Sequence, residues 1–77
     1  MSLSEVELAR RAVDRYAIII IGGNTVFLAD RMLGHKVYMG PYKSLPTAEF
    51  RKYVLTLNND LANLTIDDFF AKYRLKG

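Results

Sequence analysis

Few residues in this chain could do chemistry. His35 is the single histidine and the natural candidate for a general base near neutral pH. A base needs a nucleophile and an orienting group beside it. There is no cysteine, the serines are Ser2, Ser4 and Ser44, and no spacing assembles such a set. His35 follows Gly34 and reads as an exposed turn residue. Gly22-Gly23-Asn24-Thr25 follows an apolar run, as a phosphate-binding loop does, but that loop needs a lysine and then a helix. Here Val26-Phe27-Leu28 continues as a strand. Asp67 and Asp68 are neighbours on a helix and point about 100° apart, so they do not converge on one ion. Asn58-Asn59-Asp60 lacks the glycine and glutamate of a calcium loop. A Cys/His zinc site is excluded by the same residue counts. The expectation is a protein that is not an enzyme, with no cofactor, no metal and no small-molecule substrate.

The one constellation with chemical content is basic and aromatic: Arg31, His35, Lys36, Tyr38, Tyr42, Lys43, Arg51 and Lys52. Net charge is +3, unevenly spread. Residues 31–53 hold five cations against Glu49 alone, whereas the first thirty residues are slightly acidic and the last third balances. Cations interleaved with flat rings suit a phosphate backbone with stackable bases, or an acidic protein. The plain alternative is a solvated surface that keeps the chain dispersed.

The elements that must position these residues follow from patterning. Ser4 with Glu7 three positions on forms a capping box, with Leu3 and Leu8 as its staple, opening a helix from about Ser4 to Tyr16. Val6, Ala9, Val13 and Tyr16 would be its stripe, with Ala12 beside them. On that helix Glu7 would pair with Arg11 and Arg10 with Asp14, leaving Arg15 alone. Ala17 to Ile21 ends in four isoleucines and favours a strand. Gly22-Gly23-Asn24 turns it back into a second strand, Thr25 to Ala29. Asp30 to His35 makes a second turn. Lys36 to Gly40 is a third strand ended by Pro41, with Lys36 and Tyr38 on one face. Pro46 and Thr47 open a helix to about Ala62, with Phe50, Tyr53, Val54, Leu57 and Leu61 as its stripe. Lys52 falls nearly opposite that stripe, Arg51 flanks it, and Leu55 lies off it. Thr65 caps a third helix, Leu64 staples to Phe69, and Ile66, Phe69, Phe70 and Tyr73 form its buried side.

The order α-β-β-β-α-α describes an α+β fold: a small two-layer domain with a three-stranded antiparallel sheet. An isoleucine run wants burial on both faces, which two layers do not give. Either the helices divide between the faces, or a second copy of the chain covers the open one as a homodimer.

Residues 36–54 also resemble a known pattern. Tyr38-Met39-Gly40-Pro41-Tyr42-Lys43-Ser44 leading into Thr47-Ala48-Glu49-Phe50 is similar to the last strand, turn and helix of the three-stranded DNA-binding domains of phage-type tyrosine integrases. In that family the sheet enters the major groove, so the resemblance implies a DNA ligand. The chain departs from the pattern in three places. A helix precedes the sheet, another follows, and the first strand carries isoleucines where a DNA-reading strand carries polar residues.

Seventy-seven residues make one domain, spanning 1–77, and 51% of them are hydrophobic, which argues against a disordered chain. A domain this small needs staples, and with no disulfide or zinc it must rely on packing or on association. Ala17–Ile21 is too short an apolar run to cross a bilayer, and residues 1–15 lack a signal-peptide core. A cytoplasmic location with no membrane contact is the expectation. Two functions follow. One is a binding module using the basic and aromatic surface, with nucleic acid or an acidic protein as ligand. The other is a structural or regulatory protein acting through an apolar interface.

Overall fold

The computed structural model describes residues 4–41 and 43–75. The order is α1 (Glu5–Leu8), a 3-10 turn (Ala12–Asp14), β1 (Tyr16–Ile21), β2 (Thr25–Asp30), β3 (Lys36–Gly40), α2 (Thr47–Asn63) and α3 (Ile66–Tyr73). This is the α+β architecture that patterning implies.

The first helix is the main correction. Ser4 does cap it, its hydroxyl accepting from the Glu7 amide at 3.2 Å, yet α1 stops after one turn. Tertiary bonds take over the backbone that a longer helix would have used. Arg11 bridges Thr65 in antiparallel fashion. The Ala12 amide donates to Leu64 O at 2.9 Å, the Ile66 amide to Arg10 O at 2.8 Å, and the Arg11 guanidinium to Ala62 O at 2.9 Å. An isolated helix of about 12 residues is marginal in water, so these bonds win. The expected stripe is consequently only partly buried: Val6, Ala9 and Val13 are exposed, while Tyr16, and Ala12 beside the stripe, enter the core. The expected Glu7–Arg11 and Arg10–Asp14 pairs do not form. Glu7 instead lies 3.4 Å from Arg10 and 3.8 Å from Arg15. Leu3, the other half of the expected staple, lies outside the described residues.

The sheet has the order β1-β2-β3, both pairings antiparallel. Tyr16 stands opposite Asp30, Ile18 opposite Leu28 and Ile20 opposite Val26. Gly22 and Gly23 have φ of 66° and 83°, the left-handed backbone that a three-residue turn over 22–24 demands. Across β2 and β3, Phe27 faces Tyr38 and Val26 faces Gly40, so Met39 is an inserted bulge residue. The bulge sends Met39 into the core, where the Tyr53 hydroxyl donates to its carbonyl.

The core sits on one face of this sheet. Tyr16, Val26, Leu28 and Met39 meet Leu57 and Leu61 of α2 and Ile66, Phe69 and Phe70 of α3. Phe50, Tyr53 and Val54 pack at its margin, as the α2 stripe requires. Tyr16 and Phe70 touch at 5.4 Å between centroids, and Phe69 and Tyr73 at 4.7 Å. Thr65 caps α3, accepting from the Asp68 amide at 3.2 Å. Asp60 ties the helices together: Lys72 Nζ lies 2.7 Å from its carboxylate, and the Tyr73 hydroxyl donates to the same oxygen. Both long helices therefore lie on the Val26–Leu28 side, and the helices do not divide between the faces.

Candidate functional site: the open sheet face

Strand alternation places Ala17, Ile19, Ile21, Thr25, Phe27, Ala29, Lys36 and Tyr38 on the face away from the helices. Tyr38 and Phe27 meet edge-on at 5.7 Å between centroids, which confirms that they share this side. Ile21 is 46% exposed and Tyr38 40%. The Tyr38 hydroxyl donates to Pro41 O at 2.7 Å, fixing the ring across the strand end. Lys36 is the only charged side chain among these strand positions.

This divides the basic and aromatic set that the sequence singles out. Lys36 and Tyr38 lie on the open face. Arg31 follows β2 and is tethered to the N-terminal segment, its guanidinium donating to Val13 O at 3.1 Å. His35 is exposed at the head of β3, its carbonyl accepting from the Asp30 amide at 2.7 Å. Lys43 is exposed in the loop after β3, and Lys52 is exposed on α2. Arg51 borders an apolar groove between β1 and α2. The sheet and core thus lie between Lys36 and the α2 cations. Tyr42 lies outside the described residues.

Ile19, Ile21 and Phe27 belong to the open face and were not among the sequence candidates. Their signal was present in the alternation of β2: Val26 and Leu28 inward forces Phe27 outward. The isoleucine run hid its own polarity, because every position carries the same side chain.

The strongest electrostatic feature lies on the opposite side, at the end of the sheet. Arg15, which the sequence left without a partner, is buried against Asp30. Its Nε and Nη2 lie 3.2 and 3.0 Å from Asp30 Oδ2. Asp30 Oδ1 accepts from the Met32 and Leu33 amides at 2.9 and 3.0 Å, which closes the β2–β3 turn. Burial pushes the Asp30 carboxyl up, but Arg15 and the two amides outweigh it and hold the group below its ordinary value. The bond to Asp30 raises Arg15 in turn, against its own burial. Burial likewise raises the Tyr73 hydroxyl, with Asp60 adding to it, whereas Lys72 and then Tyr73 lower Asp60. Each of these charged groups is committed to a structural partner.

Among the described residues, no three His, Cys, Asp or Glu side chains gather as metal ligands would, and no helix is long and apolar enough to cross a membrane. Two shallow depressions lie among the described residues. One, of about 260 Å³, is lined by Ile20, Phe50, Arg51, Val54, Leu55 and Asn58. The other, of about 340 Å³, lies between α1 and α3 beside Glu5 and Asp67. No protein-family model matches the chain, and comparison with curated proteins and with solved structures finds no similar one.

Proposed function

We propose that this protein is a non-enzymatic binding module whose working surface is the open face of its sheet, and that its ligand is another protein met through apolar contact. One observation carries the reading: exposed Ile21 and Tyr38 flank half-buried Ile19 and Phe27 on a sheet face that no described helix covers, and Lys36 is the only charge among the described strand positions of that face. Burying apolar surface stabilises by about 25 cal/mol per Å², and contiguous exposed apolar patches mark interaction sites. Lys36 at the margin would select a partner with a carboxylate beside its apolar patch.

A second reading rests on the Phe27–Tyr38 ring pair beside Lys36, because rings on a sheet face stack the bases of single-stranded nucleic acid. The division of the cations weakens it. Arg51 and Lys52 belong to the helical layer on the other side of the sheet, so a strand lying on the face would have fewer phosphates neutralised than the full basic set offers.

The test compares the wild type with an Ile21→Lys, Tyr38→Glu double variant, each immobilised and exposed to extract from its source cells, with mixed-sequence oligonucleotides titrated in parallel by fluorescence anisotropy at two salt concentrations. A protein retained by the wild type and lost by the variant supports the proposal. Equal retention by both refutes it. Oligonucleotide binding that weakens with salt and disappears in the variant assigns the face to nucleic acid instead.

A further inference from the structure

The two edges of the sheet are built differently. β3 carries the devices that keep an edge from pairing: Lys36 at its head, the Met39 bulge, and Pro41 at its end. β1 has none. It reads Tyr-Ala-Ile-Ile-Ile-Ile, with no charge, no proline and no bulge in its pairing with β2.

Which backbone groups are free follows from the ladder. The Arg31 amide donates to Arg15 O at 2.9 Å, so that pair is hydrogen-bonded, and antiparallel alternation extends the pattern to 17–29, 19–27 and 21–25. The Asp30 amide bonded to His35 O, on the other side of β2, agrees with this phase. Tyr16, Ile18 and Ile20 therefore aim their N–H and C=O groups away from β2. Tyr16 is buried, whereas exposure rises along the strand to 45% at Ile20. Nothing among the described residues accepts from or donates to the Ile18 and Ile20 backbones outside the strand. Beside this bare edge runs the α2 groove, with Leu55 61% exposed on its flank.

We infer that β1 pairs with β1 of a second copy about a two-fold axis near Ile19, joining two three-stranded sheets into one of six strands with the two α2 helices side by side over it. In this register Ile18 of each chain lies opposite Ile20 of the other, and each such pair exchanges two backbone hydrogen bonds. A second copy fits because the surface is self-complementary. Among the described residues Arg51 is the only charge lining the groove, and it lies toward one end of α2. Antiparallel helices crossing near Leu55 keep the two Arg51 side chains roughly 12 Å apart along the axis and bring each toward Asn58 or Asn59 of the other chain. The contact closes on itself, since each protomer's bare edge is consumed, and so it gives a dimer rather than a fibre. The matching strip is about 20 Å long and about 20 Å high, from strand and helix dimensions. That is on the order of half the roughly 800 Å² per partner of a standard interface. The dimer is therefore concentration-dependent. The inference does not depend on what the open face binds. It predicts that two such faces lie coplanar in the dimer.

Sedimentation equilibrium across about three decades of concentration, centred on the micromolar range, tests it on the wild type and on Ile20→Lys, Leu55→Lys and Tyr38→Glu. Far-UV circular dichroism checks the fold of each. The expected result is a wild-type mass rising from 8.8 kDa to twice that. The Leu55→Lys and Ile20→Lys midpoints should move up at least tenfold, with Tyr38→Glu unchanged. Leu55→Lys changes only an exposed helix position and decides the matter if Ile20→Lys does not fold. A wild-type monomer throughout overturns the inference, as does a species larger than a dimer. A dimer lost in Tyr38→Glu but kept in Leu55→Lys also overturns it, because the second copy would then sit on the open face.

Discussion

Replacing Asp30 by alanine should cost more stability than any other change to a charged residue in this protein. Asp30 and Arg15 are 7% and 8% exposed, and the carboxylate accepts four hydrogen bonds, two from the guanidinium and two from backbone amides. Asp30→Ala leaves a guanidinium in the interior and orphans the Met32 and Leu33 amides. Breaking a buried pair from one side costs about 3–5 kcal/mol. Glu7, 3.8 Å from Arg15, recovers part of this and favours the lower end. A 77-residue domain has a total stability of about 4–12 kcal/mol, so the variant should lose a quarter or more of it and could lie near its unfolding midpoint at room temperature. Urea titration followed by far-UV circular dichroism measures the loss. With a slope of about 1 kcal/mol per molar, the midpoint should fall by roughly 3 M. The Arg15→Met, Asp30→Leu double variant should come out near the wild type or above it, because an apolar pair carries no desolvation penalty. An Asp30→Ala cost below about 1 kcal/mol, or a double variant costing the sum of its singles, would refute the reasoning.

Three further outcomes follow. The folded-state Asp30 and Asp60 carboxyls lie below the reference value of 3.8, so the unfolded chain takes up protons first as pH drops. Their contribution is fully present above that value and is lost as pH falls through the depressed folded values; acid titration should show stability declining below about pH 4, and less so in the Arg15→Met, Asp30→Leu variant. Phe69→Ala should lower stability by about 3–5 kcal/mol in the same urea assay, because the ring is wholly buried and packs on Tyr73. Thr65→Ala should cost about 1 kcal/mol through the lost cap, with the loss confined to α3 amides in hydrogen exchange.

The sequence by itself determined the element order, because each element carried its own local signal. The Gly22-Gly23 turn, the β-branched strands, the Thr65 cap and the α2 stripe act over a few residues, and the structure keeps all of them. It also determined that β1 would be apolar on both sides. Four things were settled only by tertiary structure. The first helix was cut to one turn, because backbone bonds of Arg10 and Ala12 to Ile66 and Leu64, with the Arg11 guanidinium on Ala62 O, outweigh a weak local preference. Arg15 and Asp30 became a buried pair because the Tyr16–Asp30 register brings together residues fifteen apart. The basic set was divided between two layers because α2 packs on the Leu28 side, which leaves Lys36 and Tyr38 with Phe27 and the isoleucines on the other. Sheet order is the remaining case. It puts the isoleucine strand at an edge rather than at the centre, and patterning cannot choose between those positions when every residue of the run is the same.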